Sequence, residues 1–459
     1  MTASHPRHVA VIDIGKTNAK LALVDLEMRS EVTALRQPNR PRTDGPYPHH
    51  DIDALWSFIL EGLAIFQRDY PVDAISVTTH GATAALIDRH GALALPVPDY
   101  EFDGPDRLRN DYDAVRPNFD QTGSPGLSLG LNLGAQLFWL EKSFPDAFAK
   151  AHAILTWPQF WSWKLTGVAA SEATSLGCHT DLWNPHARDF STLVDVMAWR
   201  ALFPPLRRAN EMLGPLLPEV AARTGIDPAT PVLCGIHDSN ASLLPHLITR
   251  KPPFAVVSTG TWVVAMSIGG KRVPLDPARD TLVNVNAFGD PVPSARFMGG
   301  REFDVLMDGH TRQTNTSDLN AVLESGTLLL PSSVMGSGPF PNGTARWIGP
   351  EPRGGRRYAA VSLYLALVTA TCLDLVGAEG TVIVEGPFAS NEHFLTMLAA
   401  ATERAVIAGQ RAGTGTSLGA ALLAGQSCRV QSADPPDVLP VPAAFRHYAA
   451  MWRARAAVA

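Results

Sequence analysis

At 459 residues and 46% hydrophobic content, the chain is long enough for a large core and for more than one domain. A formal charge of −6 supplies no basic excess for nucleic acid or an anionic membrane, so a small-molecule ligand is expected. The cysteines Cys178, Cys234, Cys372 and Cys428 lie far apart without a CxxC pair, which fits a reduced, cytoplasmic setting and argues against zinc.

Residues 1–8 are polar and show no signal-peptide pattern. In "VAVIDIGKTNAKLALVD", Val9–Ile14 and Lys20–Asp25 both read as strands. The link between them is too short for a crossover, so they should pair antiparallel. Gly15-Lys16-Thr17 ends like a Walker A loop, which requires G-x-x-x-x-G-K-[ST] and a following helix. The first glycine position is Ala10, and the residues after Thr17 are strand-like, so the loop fails on both counts. Two readings remain. One is a turn in which Gly15 lets phosphate approach, Lys16, Thr17 and Asn18 offer donors, and Asp13 holds hydrated Mg²⁺. The other is an ordinary hairpin with a polar turn.

From Asp51 onward, Ile52, Leu55, Ile59, Leu60, Leu63 and Phe66 recur at helical spacing, with Asp51 placed to cap. "DAISVTTHGATAALID" predicts two strands joined around His80 and Gly81. Trp157, Trp161 and Trp163, with Gln159 among them, are expected in a core. "PVLCGIHDSNASLLPHL" predicts a strand over Pro231–Gly235, a turn at His237-Asp238 and a helix from about Ser239. Asp238 is then either a helix cap or a carboxylate displayed for chemistry. Single histidines such as His80 and His237 are commonly structural.

The second half repeats the opening theme. "FAVVSTGTWVVAMSIGG" is again strand, Gly/Thr turn, strand, with Gly260 lying 245 residues after Gly15. Thr259, Gly260 and Thr261 resemble the first turn without its acid, which suggests two similar domains gripping a polyphosphate. A boundary is expected in Leu243–Pro253, giving domains 1–245 and 246–459. "AAVSLYLALVTATCLDLVGA" has the length of a membrane span. Its polar residues and the preceding "EPRGGRRY" favour a buried helix. "VIVEGPFASNEHF", with Gly386 and Asn391, predicts strand, turn and capped helix. Gly413, Gly415 and Gly419 suit either close helix packing or approach to adenosine.

Taken in order, these motifs resemble the FGGY carbohydrate kinases of the actin/Hsp70/sugar-kinase superfamily. "DIGKTNAK" and "STGTWVVAMS" resemble the two phosphate motifs, "TTHGATAALID" the sugar-facing segment, and "WPQFWSWKLTG" the helix ending in a LTG turn. "GIHDSNASL" resembles the catalytic Asp motif, "VEGPFASNEHFLTMLAAAT" the adenosine motif and "GTGTSLGAALLA" the closing helix. The His-Asp pair points towards the rhamnulokinase- and fuculokinase-like branches. The resemblance implies an α/β fold of two ribonuclease-H-like (actin-like ATPase) domains flanking a central cleft, with ATP and Mg²⁺ as cofactors. It implies Asp238 as general base, and His80, Gly81, His237 and Gln159 at the sugar. It further implies Asp13, Gly15, Lys16, Thr17, Asn18, Thr259, Gly260, Thr261, Gly386 and Asn391 at the nucleotide, and Asp13 and Asp238 at the metal. The expected substrate is a ketose of the L-rhamnulose, L-fuculose or xylulose/ribulose type, phosphorylated at a terminal hydroxyl. A homodimer is left open, and the rival is a non-catalytic, nucleotide-gated sugar sensor. The sequence departs from the family pattern in three places, the first being Lys16, which is not the common residue at its position across the wider family. "LPVPDYEFDGP" lacks the arginine of an Arg-Asp pair found in many relatives, and Gly386-Pro387 replaces a Gly-Gly pair.

Overall fold

The computed structural model describes residues 6–334, 336–409, 415–425 and 441–457, so Gly413 and Cys428 lie outside the described residues. The chain forms two compact units. The first comprises Met1–Thr249, Val283–Pro291 and Thr414–Val430; the second comprises Arg250–Leu282, Val292–Gly413 and Gln431–Ala459. The first passage between units falls after Thr249, inside the Leu243–Pro253 stretch.

In the first unit, β1 (His8–Ile14), β2 (Asn18–Asp25) and β3 (Ser30–Pro38) form an antiparallel meander. After α1 (Ile52–Asp69), β4 (Ala74–Thr79) returns parallel to β1. β5 (Ala84–Asp88) pairs with β6 (Ala151–Thr156) in a separate ribbon, with α2 (Leu133–Ser143) between them in sequence. Next come α3 (Trp157–Thr166), β7 (Met212–Gly214), β8 (Val232–Leu233) and β9 (Ile236–His237), then α4 (Asp238–Thr249). The main sheet has the order β7-β8-β4-β1-β2-β3, with β9 continuing β8's line beside β4.

Alternation along β1 explains how the sheet is covered on both faces. Ala10, Ile12 and Ile14 join Leu55, Ile59 and Leu63 of α1 and Trp157, Phe160 and Trp161 of α3 in one core. Val9 and Val11 join Leu244 of α4 and Leu418, Ala420 and Ala421 of the helix Gly415–Leu422 in another. Asp51 caps α1 as its sequence implies, its Oδ1 accepting from Ala54 N at 3.0 Å.

The second unit repeats the plan. β10 (Phe254–Thr259) and β11 (Val263–Ile268) form an antiparallel hairpin, followed by β12 (Thr281–Val285) and β13 (Pro291–Phe297). After α5 (Gly299–Leu306) and α6 (Gly355–Leu375), β14 (Thr381–Glu385) runs parallel to β10. α7 (Glu392–Thr402) then leads to β15 (Val406–Ala408), parallel to β14, and the order is β12-β13-β11-β10-β14-β15. Each unit thus has a hairpin whose first strand pairs in parallel with a later strand. The apolar α6 is a core helix: Ala359 to Ala370 is buried at every position. The hydroxyls of Ser362 and Thr369 are satisfied by the carbonyls of Tyr358 and Leu365, at 2.8 and 2.7 Å.

Candidate active site

Three parallel strands of the first unit end in register. Ile14, Thr79 and His237 form the last row of the ladder across β1, β4 and β9. The next residue on each strand is Gly15, His80 and Asp238, so the three leave the sheet together at its carboxyl edge. That edge is where ligands bind in open α/β sheets. Ile236 and His237 remain in the sheet beyond Gly235, whose φ of +94° interrupts the strand expected to stop there.

The β1–β2 turn is a hairpin bend, as its length requires, with Gly15 N donating to Asn18 O at 2.9 Å. Its carbonyls are gathered by Asn39, just past β3. Asn39 Nδ2 donates to Gly15 O at 2.8 Å, and Asn39 N donates to Thr17 O at 2.9 Å. Turning these acceptors towards Asn39 suits a bend meant to face an anion. Asn18 Nδ2 donates to Thr17 Oγ1 at 3.1 Å. The Lys16 side chain leads elsewhere: its Nζ meets Asp99 Oδ1 at 2.7 Å and Glu101 Oε2 at 3.2 Å.

Asp13, one row back, is partly buried. Burial and then the charge of Asp238 push its carboxyl up to about 7, against the pull of Lys20. Lys20 itself pairs with Glu31 and donates to Ser417 Oγ at 3.1 Å. Asp13 and Asp238, with Lys20 already engaged by Glu31, are the two carboxylates here that could hold a divalent cation. No group of three or more ligating side chains exists among the described residues, so the donor set suits Mg²⁺, which keeps most of its water.

Asp238 opens α4 with its side chain one-third exposed. Its Oδ1 accepts from Ser239 N at 2.6 Å and lies 3.3 Å from His237 Nε2. The same Nε2 lies 3.3 Å from Cys178 Sγ, while His237 N donates to Thr174 Oγ1 at 3.0 Å. Burial opposes charge on both His237 and Cys178. Their mutual attraction, aided by Asp238 and His179, outweighs it, drawing the imidazole up to about 9 and the thiol down to about 5. Thr174 donates in turn to the buried Glu172 at 2.5 Å, which fixes the segment beneath His237. A Cβ at Gly81 would stand 2.8 Å from His237 Nε2, so the ring takes its place only because residue 81 has none. His80 is buried, and burial lowers it to about 4, so it is neutral.

Other anticipated residues serve the frame. Gln159 is fully buried; its Nε2 donates to Cys234 O and Gly235 O at 3.1 and 3.2 Å, bracing the strand that delivers Asp238. Trp157 and Trp161 lie in the core. In the second unit, the β10–β11 bend has Gly260 N donating to Trp262 O at 2.9 Å. The start of α5 donates to Thr261 O, from Gly300 N at 3.2 Å. The Thr259 hydroxyl donates to Glu385 O and accepts from Phe388 N at 3.1 Å. Gly386 has φ +82°, and a Cβ there would fall 1.9 Å from Thr259 O. Asn391 caps α7 through Phe394 N at 3.1 Å and donates to Ser362 Oγ at 2.9 Å. Thr259 therefore bonds the hairpin to the end of β14 and to Phe388, and Asn391 ties the start of α7 to α6.

The profile of the FGGY family of carbohydrate kinases, N-terminal domain, matches residues 110–245, and that of the FGGY C-terminal domain matches residues 251–433. The crystal structure of a carbohydrate kinase from Novosphingobium aromaticivorans is 38% identical, with a TM-score of 0.90 over 99% of this chain and 100% of that one. The chain belongs to the FGGY family of carbohydrate kinases. Among curated FGGY relatives, the L-fuculokinase of Salmonella typhi is 26% identical over 57% of each chain. A rhamnulokinase of Halalkalibacterium halodurans is 23% identical over 55% of this chain and 54% of its own. The chain thus spans little more than half the length of the curated relatives it matches. The xylulose kinase of Rhodospirillum rubrum, at 20% identity and a TM-score of 0.80, shares the two-domain fold.

Sequence reasoning missed Asn39, Glu172, Thr174 and Cys178. Asn39, Thr174 and Cys178 act on partners distant in the chain, Glu172 acts through its neighbour Thr174, and none sits in a motif that marks it.

Proposed function

We propose that the protein transfers the γ-phosphoryl group of ATP to a terminal hydroxyl of a sugar, a ketose of the L-fuculose, L-rhamnulose or xylulose/ribulose type. The observation that carries this reading is Asp238, partly exposed at the head of α4 and leaving the sheet edge together with Gly15 and His80. Asp238 takes the proton from the attacking hydroxyl, the new O–P bond forms, and the bond from the γ-phosphorus to the bridging oxygen breaks to release ADP. The β1–β2 turn serves phosphate through its backbone N–H groups. Asp13 and Asp238 would hold Mg²⁺, which would supply charge neutralisation at the phosphates. His237, braced by Thr174 and Cys178, and the neutral His80 position the acceptor.

The test is a coupled ADP-release assay over ketoses, aldoses and polyols, repeated with Asp238→Asn. The wild type should show sugar-dependent ADP release, and Asp238→Asn should lower its kcat by about 10²–10⁴ while ADP affinity stays within about twofold. Wild-type turnover in the variant would remove Asp238 from its role. A wild type that binds sugar and nucleotide yet releases no ADP would leave the sensor reading.

A further inference from the structure

The side chain at position 16 turns away from its own bend. Lys16 Nζ reaches both oxygens of Asp99, at 2.7 and 2.8 Å, and Glu101 Oε2 at 3.2 Å. It also lies 5.3 Å from the centroid of the Tyr100 ring. Tyr100 meets His80 edge-on at 5.4 Å, and His80 stacks on His50 at 5.5 Å. The 99–101 segment is pinned from behind: Asp99 N donates to Pro48 O at 2.9 Å, and Gly130 N donates to Tyr100 O at 2.8 Å. A cation, a carboxylate and two imidazoles thus form one wall beside the residues that leave the sheet edge.

Two of these groups have unused bonding capacity. His80 and His50 are 6% and 2% exposed. His80 Nε2 and both nitrogens of His50 have no hydrogen-bond partner among the described residues. The Nδ1 of His80 faces Gly81 O at 2.8 Å, and a carbonyl can only accept, so Nδ1 carries the proton. His80 Nε2 is then a bare acceptor, suited to a hydroxyl donor. An orphaned buried acceptor is costly unless a ligand completes it. Lys16 Nζ and Asp99 offer a donor and an acceptor on the same wall.

We propose that Lys16 and Asp99 form a clamp for sugar hydroxyls beside His80, so that Lys16 sets acceptor specificity and is not a phosphate ligand. The acceptor is an uncharged polyhydroxylated sugar. This rests on the reading of the region as the sugar site. The charges support it: one cation, Lys16, pairs with two carboxylates, Asp99 and Glu101, and Asp238 acts on the same His80. The carboxylate of an aldonate would meet net negative charge there.

Three variants test the clamp: Lys16→Met, Lys16→Arg and Asp99→Asn, each checked by thermal melting. Kinetics are run on neutral ketoses, polyols and aldonates, and ADP affinity is measured by calorimetry. Lys16→Met should raise the KM for the best neutral sugar about tenfold or more, leave ADP affinity within about twofold, and be partly rescued by Lys16→Arg. Asp99→Asn should also raise the sugar KM. If Lys16→Met does not fold, the charge-keeping arginine and Asp99→Asn carry the same comparison. A loss of about tenfold in ADP affinity with an unchanged sugar KM overturns the clamp, as does an aldonate used as efficiently as any neutral sugar. A wild type that phosphorylates nothing in the panel sinks the kinase reading instead. The ADP affinity of the Lys16 variants then still decides whether that side chain serves phosphate.

Discussion

Asp13 places a load on the metal-free protein. Its carboxyl ordinarily titrates near 3.8, and in the folded chain burial and Asp238 lift it to about 7. Between those values the folded state holds a proton that the unfolded state has lost. Folding stability from this group is therefore intact below about pH 4, declines as the pH rises, and stays reduced above about 7. Asp13→Asn removes the charge without changing the shape. The variant should melt higher than wild type at pH 8 in the absence of Mg²⁺, and its melting temperature should change less between pH 5.5 and pH 8. The same variant should lose Mg²⁺-dependent turnover. A melting temperature below wild type at pH 8 would mean that Asp13 is stabilising as an anion and that the lift is wrong. Lys20, Glu31 and Arg36 surround the same carboxyl and set the background against which the variant is compared.

At the scale of elements, the helix Gly415–Leu422 shows how tightly the site's support is packed. A Cβ on Gly419 would fall 1.7 Å from Ala241 O in α4, and Ser242 Oγ meets Thr416 Oγ1 at 2.7 Å across the same crossing. Backbone cannot yield as a flexible side chain does, so Gly419→Ala must push the helices apart. The expected cost is about 1–3 kcal/mol by urea unfolding, and because α4 begins at Asp238, sugar turnover should fall as well. A neutral result would place the crossing wider than described. This element also marks what was legible in the chain. The two hairpins followed from strand spacing, α1 from its periodicity and Asp51, and the α4 start from the His237-Asp238 turn. These signals lie within about 20 residues of one another. The brace from Gln159 to Cys234 spans 75 residues, and the Lys16–Asp99 pair spans 83. Sequence spacing carries no trace of such pairs, so the bonds that Gln159 and Lys16 make could not be read from it.

At the scale of the whole molecule, the first unit is not a contiguous stretch of chain. Val283–Pro291 belongs to it after only Arg250–Leu282 of the second unit, and Thr414–Val430 after Val292–Gly413 as well. Val283 N donates to Gly123 O at 2.9 Å, and Lys20 reaches Ser417 across 397 positions. Leu418, Ala420, Ala421 and Leu423 lie in the same apolar cluster as Val9, Val11, Val24 and Leu244. A chain stopped at Thr249 keeps every strand of the main sheet but leaves that face open. Burial contributes about 25 cal/mol per Å² of apolar surface, and several such side chains approach the whole margin of a typical domain. The 1–249 fragment should therefore bind a hydrophobic dye and unfold without a sharp urea transition. Adding 415–425 as a separate peptide should sharpen the transition and suppress dye binding. A fragment that unfolds cooperatively at the denaturant midpoint of the full chain would show that the sheet and α1 suffice, and that the returning helix serves only to seat α4.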